Sequence, residues 1–363
     1  MKVLMQIRKD VHKYLGGDFI QLLKTKEYLE KLGISVNISS IHHENLKPYD
    51  LIHLFNVTRI TETYLFLKNA KAQKKKVVLS PIYHPLKDMK DFYRYYYRLP
   101  GLDIVTYLAL KELYYSVRGK TKISIKSVLW YKQTVREVLS ESDILLPNSQ
   151  LELETLEKET GVKNRYKIIP NASEFDTDLL NSESDKENLI LCIGRIEPRK
   201  NPLNIIRAFK QVNTQLPEGT KLIFIGTINE SHKSYTKQFL KYVRNSRECI
   251  KYIGPLPHKK VLIFLKRAKL LVLASFFETT GLVGLEALAC KTNIVISEKG
   301  YTKEYFRDKA IFCDPYLIDS IAVTMKQGFY KKSPERVSKE FIENYTWPNV
   351  ANLTLSAYNS ISV

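Results

Sequence analysis

Short apolar runs alternate along the chain with longer segments of helical period, the pattern of parallel sheets covered by helices. Residues 3–7 read as a first strand. Gly16 and Gly17 then make a turn, Asp18 caps a helix, and Phe19, Leu22, Leu23, Leu29 and Leu32 fall on its buried face before Gly33 ends it. Further strands are predicted at 35–38, 51–55, 76–80, 143–147 and 166–169. The polar stretch 181–188 reads as an exposed connection, and a second series of strands follows at 189–193, 222–225, 250–253, 270–274 and 293–296. Two such series imply two doubly wound α/β sheets. Sheets of this kind bind ligands in crevices at the carboxyl ends of their strands, so the cleft between the domains is the expected site.

A length of 363 residues is more than one core usually supports, which agrees with two domains. The apolar and charged fractions, 44% and 26%, argue against a disordered or fibrous chain. The longest apolar stretch, 270–277, is far short of the roughly 20 residues needed to cross a bilayer, and Met1 leads straight into the first strand. Neither a transmembrane helix nor a signal peptide is therefore predicted. Cys192, Cys249, Cys290 and Cys313 are too widely spaced to suggest a zinc ligand set or a disulfide framework, which fits a reducing cytoplasm. The formal net charge of +19 is shared by both halves and attracts nucleic acid, anionic lipid or phosphorylated substrate; its sign does not choose among them.

The segment 275–290 follows a predicted buried strand and leads into a helix opened by Gly281. The N–H groups and positive dipole end of that helix favour a phosphate or a sugar hydroxyl. Glu278 lies in the loop and Glu286 about a turn and a half into the helix, so the two carboxylates can meet opposite ends of an extended ligand. A second motif, Gly194-Arg195-Ile196-Glu197-Pro198-Arg199-Lys200-Asn201, stands between a strand and a helix begun by Pro202. A glycine followed by fixed cations at a helix start supplies what a pyrophosphate needs, close backbone donors and positive charge.

Glutamate, seven residues, glutamate after a strand resembles the hallmark of the family-4 retaining glycosyltransferases of the GT-B fold. The resemblance extends over nearly the whole chain. It implies two Rossmann-like domains facing across a cleft, expected at 1–170 on the acceptor side and 171–340 on the nucleotide-sugar side, with 341–363 packing back on the first. It also implies that Glu278 contacts hydroxyls of the transferred sugar, that Glu286 contacts the nucleotide ribose, and that Arg195 and Lys200 bind the donor diphosphate after Gly194. The segment around Thr280, Gly281, Leu282 and Val283 would complete the donor pocket, although Thr279-Thr280 replaces the family's usual Gly-Phe. Ile253 and Gly254 resemble the loop against the nucleobase, and Gly16-Gly17-Asp18 the loop that closes over the donor phosphate. Ile168-Ile169-Pro170-Asn171 resembles an interdomain loop, with Ala172 in place of a glycine. Tyr345-Thr346-Trp347 resembles the opening of the terminal helix. His84 stands where the family often has a histidine facing the sugar, and equally fits a loop residue; His53, inside a strand, fits a packing role.

As a function, the resemblance implies transfer from a UDP- or GDP-sugar to an acceptor hydroxyl, with no metal or other cofactor required, in cell-surface polysaccharide or glycolipid synthesis. A sugar-nucleotide epimerase or hydrolase of similar architecture, and a nucleic-acid-binding protein, remain as alternatives. The span 87–132 interleaves cations with aromatics: Arg94 and Arg98 among Tyr93, Tyr95, Tyr96 and Tyr97, then Arg118, Lys120, Lys122, Lys126 and Trp130. Such a mixture suits an anionic membrane surface carrying a lipid-linked acceptor, single-stranded nucleic acid, or an insertion packed on the first domain.

Overall fold

The computed structural model of the chain describes residues 1–11, 16–98, 101, 103–117, 124–175, 185–334 and 338–361. They form two compact α/β units, Met1–Ala172 with Asn344–Val363, and Ser173–Glu343.

The first unit is built on strands β1 (Lys2–Gln6), β2 (Ser35–Ser39), β3 (Leu51–Phe55), β4 (Lys76–Ser80) and β5 (Ile144–Leu145). All pair in parallel, in the order β2-β1-β3-β4-β5. Central strand β3 is buried along its whole length, as a sheet covered on both faces requires. The helices are α1 (Gly17–Lys31), α2 (Ile60–Ala72), α3 (Leu86–Tyr97), α4 (Ile104–Val117), α5 (Ile125–Leu129), α6 (Tyr131–Glu141) and α7 (Gln150–Thr160). The C-terminal helix Trp347–Asn359 joins this unit's core, placing Trp347, Val350, Ala351 and Tyr358 against Val3, Met5, Leu22 and Leu29.

The second unit carries β6 (Glu187–Ile193), β7 (Lys221–Ile225), β8 (Ile250–Tyr252), β9 (Ala268–Leu273), β10 (Asn293–Ser297) and β11 (Ile311–Cys313), parallel in the order β11-β10-β9-β6-β7-β8. Its main helices are α8 (Pro202–Val212), α9 (Lys233–Asn245), α10 (His258–Arg267), α11 (Leu282–Ala289) and α12 (Ile318–Tyr330).

Several expectations need correction. Residues 166–169 do not form a strand. Tyr166 makes one isolated bridge to Leu145, and the segment is tied to the edge by the bonds from Leu145 N–H to Arg165 O, Lys167 N–H to Leu145 O and Ile169 N–H to Pro147 O, all 2.9 Å. Pro147 and Pro170 have no N–H to continue a ladder there. Leu23 and Leu32 are exposed, because each lies off the stripe that α1 buries through Phe19, Gln21, Leu22, Thr25 and Leu29. Buried Gln21 is satisfied by Asn148, to which its amide donates at 2.9 Å. Asp18 is not the cap; Gly16 is, and Asp18 sits in the first turn accepting from Arg8 Nε at 3.1 Å. Strand β11 carried too short an apolar run to be read, and β6 begins at Glu187, inside the stretch expected to be a connection.

Candidate active site

Two loops of the second unit meet at the carboxyl ends of β6 and β9. The first leaves β6 at Gly194, whose N–H donates to Ile225 O at 2.9 Å. Gly226, at the end of neighbouring β7, packs against it so closely that a Cβ there would stand 2.1 Å from Gly194 O. Only a glycine permits that approach. The chain then makes a single 3₁₀ turn over Pro198–Lys200 before Pro202 starts α8. Asn201, left-handed at φ 61°, ties this corner to the β9 end by donating to Ala274 O at 3.0 Å and Pro315 O at 2.8 Å.

This corner gathers the charges. Lys200 Nζ pairs with Glu278 Oε1, and Ser275 Oγ donates to the same oxygen at 2.7 Å. Arg199 stands 3.8 Å from Glu278 Oε2 and donates to Phe277 O at 3.1 Å. Burial alone would raise the Glu278 pKa, but Lys200, Arg199 and the hydrogen bonds bring it down to about 2. Burial lowers the Lys200 ammonium below its ordinary range even beside that carboxylate. Glu197, almost fully buried, accepts from Arg195 Nη2 at 3.2 Å and from Asn229 Nδ2 at 2.9 Å, and lies 3.4 Å from Arg199 Nη2. Burial pushes this carboxyl up, and Arg199 and Arg195 more than offset it, holding it below the usual carboxylate range. Arg195 remains about one-third exposed and Lys200 about one-fifth, so both keep an open side beside the buried carboxylates.

The loop bearing Glu278 is fixed from below. Glu278 N–H donates to Lys299 O at 3.2 Å and Tyr301 N–H to Glu278 O at 3.0 Å. Between them Gly300, at φ 86°, would bring a Cβ within 1.9 Å of Glu278 O. Gly281 follows, left-handed at φ 74°, and caps α11. Gly284 N–H donates back to Gly281 O at 2.7 Å, while the N–H groups of Leu282 and Val283 open the helix, where an α-helix leaves its donors without intrahelical acceptors. Leu282 and Val283 are half-buried in the turn, whereas Thr280 is buried, with its hydroxyl making no hydrogen bond in the folded chain. Glu286, one turn on, accepts from Ser173 Oγ at 2.5 Å and is 3.0 Å from His258 Nε2. Ile253 is exposed beyond β8, next to Gly254, whose carbonyl accepts from Gly226 N–H at 2.9 Å. Gly194, Gly226 and Gly254 thus close the ends of three adjacent strands.

The structure therefore brings Gly194, Arg195, Lys200, Glu278 and Gly281 to one edge of a sheet, while Glu286 is held separately by Ser173 and His258. Sequence reading missed Arg199, Glu197, Ser173 and His258 as participants. The alternation Arg195, Glu197, Arg199 was a usable signal for the first two. A row of cations beside helix N–H groups can hold a diphosphate, and a desolvated ionised carboxylate can accept hydrogen bonds from sugar hydroxyls.

Gly17 and His84 belong to the first unit. Gly17 opens α1, with nothing within 4 Å of the Cβ it lacks. His84, half-buried after β4, lines a cavity of about 30 Å³ with Val57, Tyr83, Met89, Leu108 and Val135. His53 is a packing residue: its ring nitrogens meet Tyr358 Oη at 2.7 Å and Ser80 Oγ at 2.9 Å, and burial lowers its pKa to about 3, so it stays neutral. A second polar cluster stands beyond β1 and β3. Arg8 Nη1 donates to Asp10 at 2.7 Å, Arg59 Nη1 donates to Asp10 at 3.2 Å, and Arg59 lies 3.7 Å from both Glu62 and Glu112. Burial pushes Glu62 up to about 7.

Comparison with known proteins shows what these features resemble. Residues 175–344 match the model of the Glycosyl transferases group 1 family. Among curated relatives, an uncharacterised glycosyltransferase of Methanocaldococcus jannaschii is 27% identical over 216 residues, 54% of each chain. The O-antigen chain mannosyltransferase B of Escherichia coli is 28% identical over 175 residues, 46% of this chain and 45% of its own. An N-acetylgalactosaminyltransferase of Campylobacter jejuni, named for an undecaprenol-diphosphate-linked acceptor, is 28% identical over 187 residues, 50% and 48%. The chain spans about half the length of these relatives. Among solved structures, Anabaena HepE with UDP and glucose superposes at TM-score 0.70 and 14% identity, covering 99% of this chain and 100% of that one. Sucrose-phosphate synthase of Thermosynechococcus elongatus gives TM-score 0.72 at 14% identity, covering 99% of each. These two likenesses establish the GT-B fold. The segment 175–344, which holds every charged group of the strand-end corner, is thus similar to the Glycosyl transferases group 1 family.

Proposed function

We propose that this chain moves a sugar from a nucleoside diphosphate donor, a UDP- or GDP-sugar, to a hydroxyl of a glycan or lipid-linked acceptor, with retention at the anomeric carbon. It would act in the cytoplasm, in cell-surface polysaccharide or glycolipid synthesis. The observation that carries this reading is the corner where Lys200 and Arg199 flank buried Glu278 and Arg195 flanks buried Glu197, beside the start of α11. As the sugar's C1–O bond to the diphosphate breaks, the departing group gains negative charge. Fixed cations and helix N–H groups stabilise that charge without reorganising, which is where most of the acceleration would arise. The acceptor oxygen then bonds to C1 and loses its proton.

In this scheme Glu278 holds sugar hydroxyls, Glu286 the ribose and Ile253–Gly254 the base, while Gly281, Leu282 and Val283 line the phosphate end. Thr280, with its unbonded hydroxyl, lies under the same turn. Gly17 and His84 would serve the donor phosphate and the sugar from the first unit. The chain's own cations neutralise the leaving group, so no metal is needed. Names among the relatives, an O-antigen mannosyltransferase and a transferase acting on an undecaprenol-linked glycan, support a glycan or glycolipid acceptor. The UDP complex of HepE supports a nucleotide-sugar donor.

The test is a screen of UDP- and GDP-sugars with the whole chain, with and without EDTA, following nucleotide release and sugar configuration. Slow donor hydrolysis that EDTA does not change is expected, together with transfer when an acceptor is added. Conversion of the donor to its epimer with no transfer would replace this reading by an epimerase.

A further inference from the structure

Helix α4 is apolar on both of its sides. One side buries Ile104 and Leu108, with Glu112 and Ser116, against the rest of its unit. The other shows Leu110, 51% exposed, Leu113, 39%, Tyr114, 50%, and Val117, 74%. Their spacing is i, i+3, i+4, i+7, a single stripe with no charged residue in it, running about 10 Å along the axis. A helix at a protein surface ordinarily turns its charged residues outward. Scattered exposed apolar residues are normal, but a continuous apolar stripe marks a contact face. Leu129 and Trp130, at the end of α5, are exposed as well.

Beside α4 lies α3, joined to it by the rings of Tyr93 and Tyr107, 4.3 Å apart, and by Lys111 Nζ donating to Tyr93 Oη at 3.3 Å. Helix α3 buries Met89 and Phe92. On its opposite side Lys87, Lys90 and Arg94 are all exposed, at i, i+3 and i+7, and Arg98, the left-handed residue that ends the helix, is exposed beyond them. A row of cations thus runs next to an apolar row, each turned away from the core of the unit. Sequence reading had placed Tyr93 and Tyr96 among the contacting aromatics, but both are half-buried and pack on neighbouring rings. Arg118, Lys120 and Lys122 lie outside the described residues.

We propose that these two rows dock the first unit on an anionic lipid bilayer. The α3 cations meet lipid phosphates, and Leu110, Leu113, Tyr114 and Val117 enter the boundary between headgroups and acyl chains. Charge selects the occupant. A second copy would bring an identical row of cations against this one, on a chain already at +19. A nucleic acid would find nothing to pair with an aliphatic row. The inference rests on the proposed acceptor only in that a lipid-linked acceptor lies at such a surface.

Flotation with vesicles of phosphatidylcholine alone, or mixed with phosphatidylglycerol, tests this on the full chain. The chain should float with the mixed vesicles and not with the neutral ones. High salt should weaken the attachment without abolishing it, since the apolar row is not screened. Leu113→Glu with Val117→Glu should reduce the bound fraction at least tenfold at any salt, and Lys90→Glu with Arg94→Glu should do so at low salt. Both pairs are exposed, so the melting temperature and donor hydrolysis in solution should not change. Wild-type chain that ignores the mixed vesicles overturns the proposal, as does wild-type affinity in the Leu113/Val117 variant. A wild-type dimer that this variant makes monomeric would mark the stripe as a self-association face and overturn it too. Loss of donor hydrolysis in the wild-type chain would count against the transferase reading alone.

Discussion

Lys200 and Glu278 hold each other at the strand-end corner, so in the proposed reading a donor diphosphate would draw the ammonium partly away from a partner it already has. Two variants separate the cations. Arg195→Ala should lower turnover about a hundredfold, roughly 3 kcal/mol of transition-state stabilisation, with the fold intact because that side chain is partly exposed. Lys200→Ala should cost as much turnover and also melt earlier, since it takes from buried Glu278 its nearest cation and leaves it Ser275 and the more distant Arg199. Steady-state kinetics with thermal melts distinguishes the two, and near-normal turnover in both would remove them from the diphosphate site. The carboxylates should divide as well: Glu286→Ala weakens binding of free UDP or GDP in calorimetry, while Glu278→Ala spares it and impairs transfer. The motif residues were legible because neighbours in sequence arrive together at a strand end. Their partners were not: Lys200 and Glu278 are 78 residues apart, and no local pattern says which carboxylate a given lysine will face.

Helices and strands were legible for the same reason the sheets are stable, since apolar runs such as 189–193 and 270–274 suit strands buried on both faces. The edge strand β11 was not, because it is three residues long and draws its definition from its neighbour, and β5, read at 143–147, is only two residues long. At this scale a glycine can control chemistry. Gly300→Ala should force the Glu278 loop off its seat, costing about 2 kcal/mol or more, with turnover falling further than stability explains. Urea unfolding beside kinetics checks this, and unchanged turnover would show that the loop does not need its support. Helix α2 carries a second expectation through Glu62, whose pKa rises from 4.5 to about 7 on burial. The folded chain then binds a proton that the unfolded chain has released. Stability should fall by up to about 3 kcal/mol as pH rises from about 4.5 to 7. Glu62→Gln should flatten that slope, and an unaltered pH profile would mean that Arg59 keeps Glu62 ionised.

At the scale of the whole molecule, the chain leaves its first unit at Ala172 and returns to it at Asn344. Deleting 344–363 would strip Trp347, Val350, Ala351 and Tyr358 from the first core and leave His53 without its Tyr358 partner. The loss should be at least about 5 kcal/mol, confined to one unit. Calorimetry of the full chain should then resolve two transitions, of which truncation lowers one and leaves the other in place; equal lowering of both would contradict the assignment of the terminal helix. The same excursion reverses the order of maturation on the ribosome. The sequence of the second unit is complete once residue 343 has emerged, whereas the first unit, although synthesised earlier, waits for the last helix. Through most of translation Leu22, Leu29 and their neighbours therefore lack their cover, and nascent chains stalled before Trp347 should be the ones that chaperones retain.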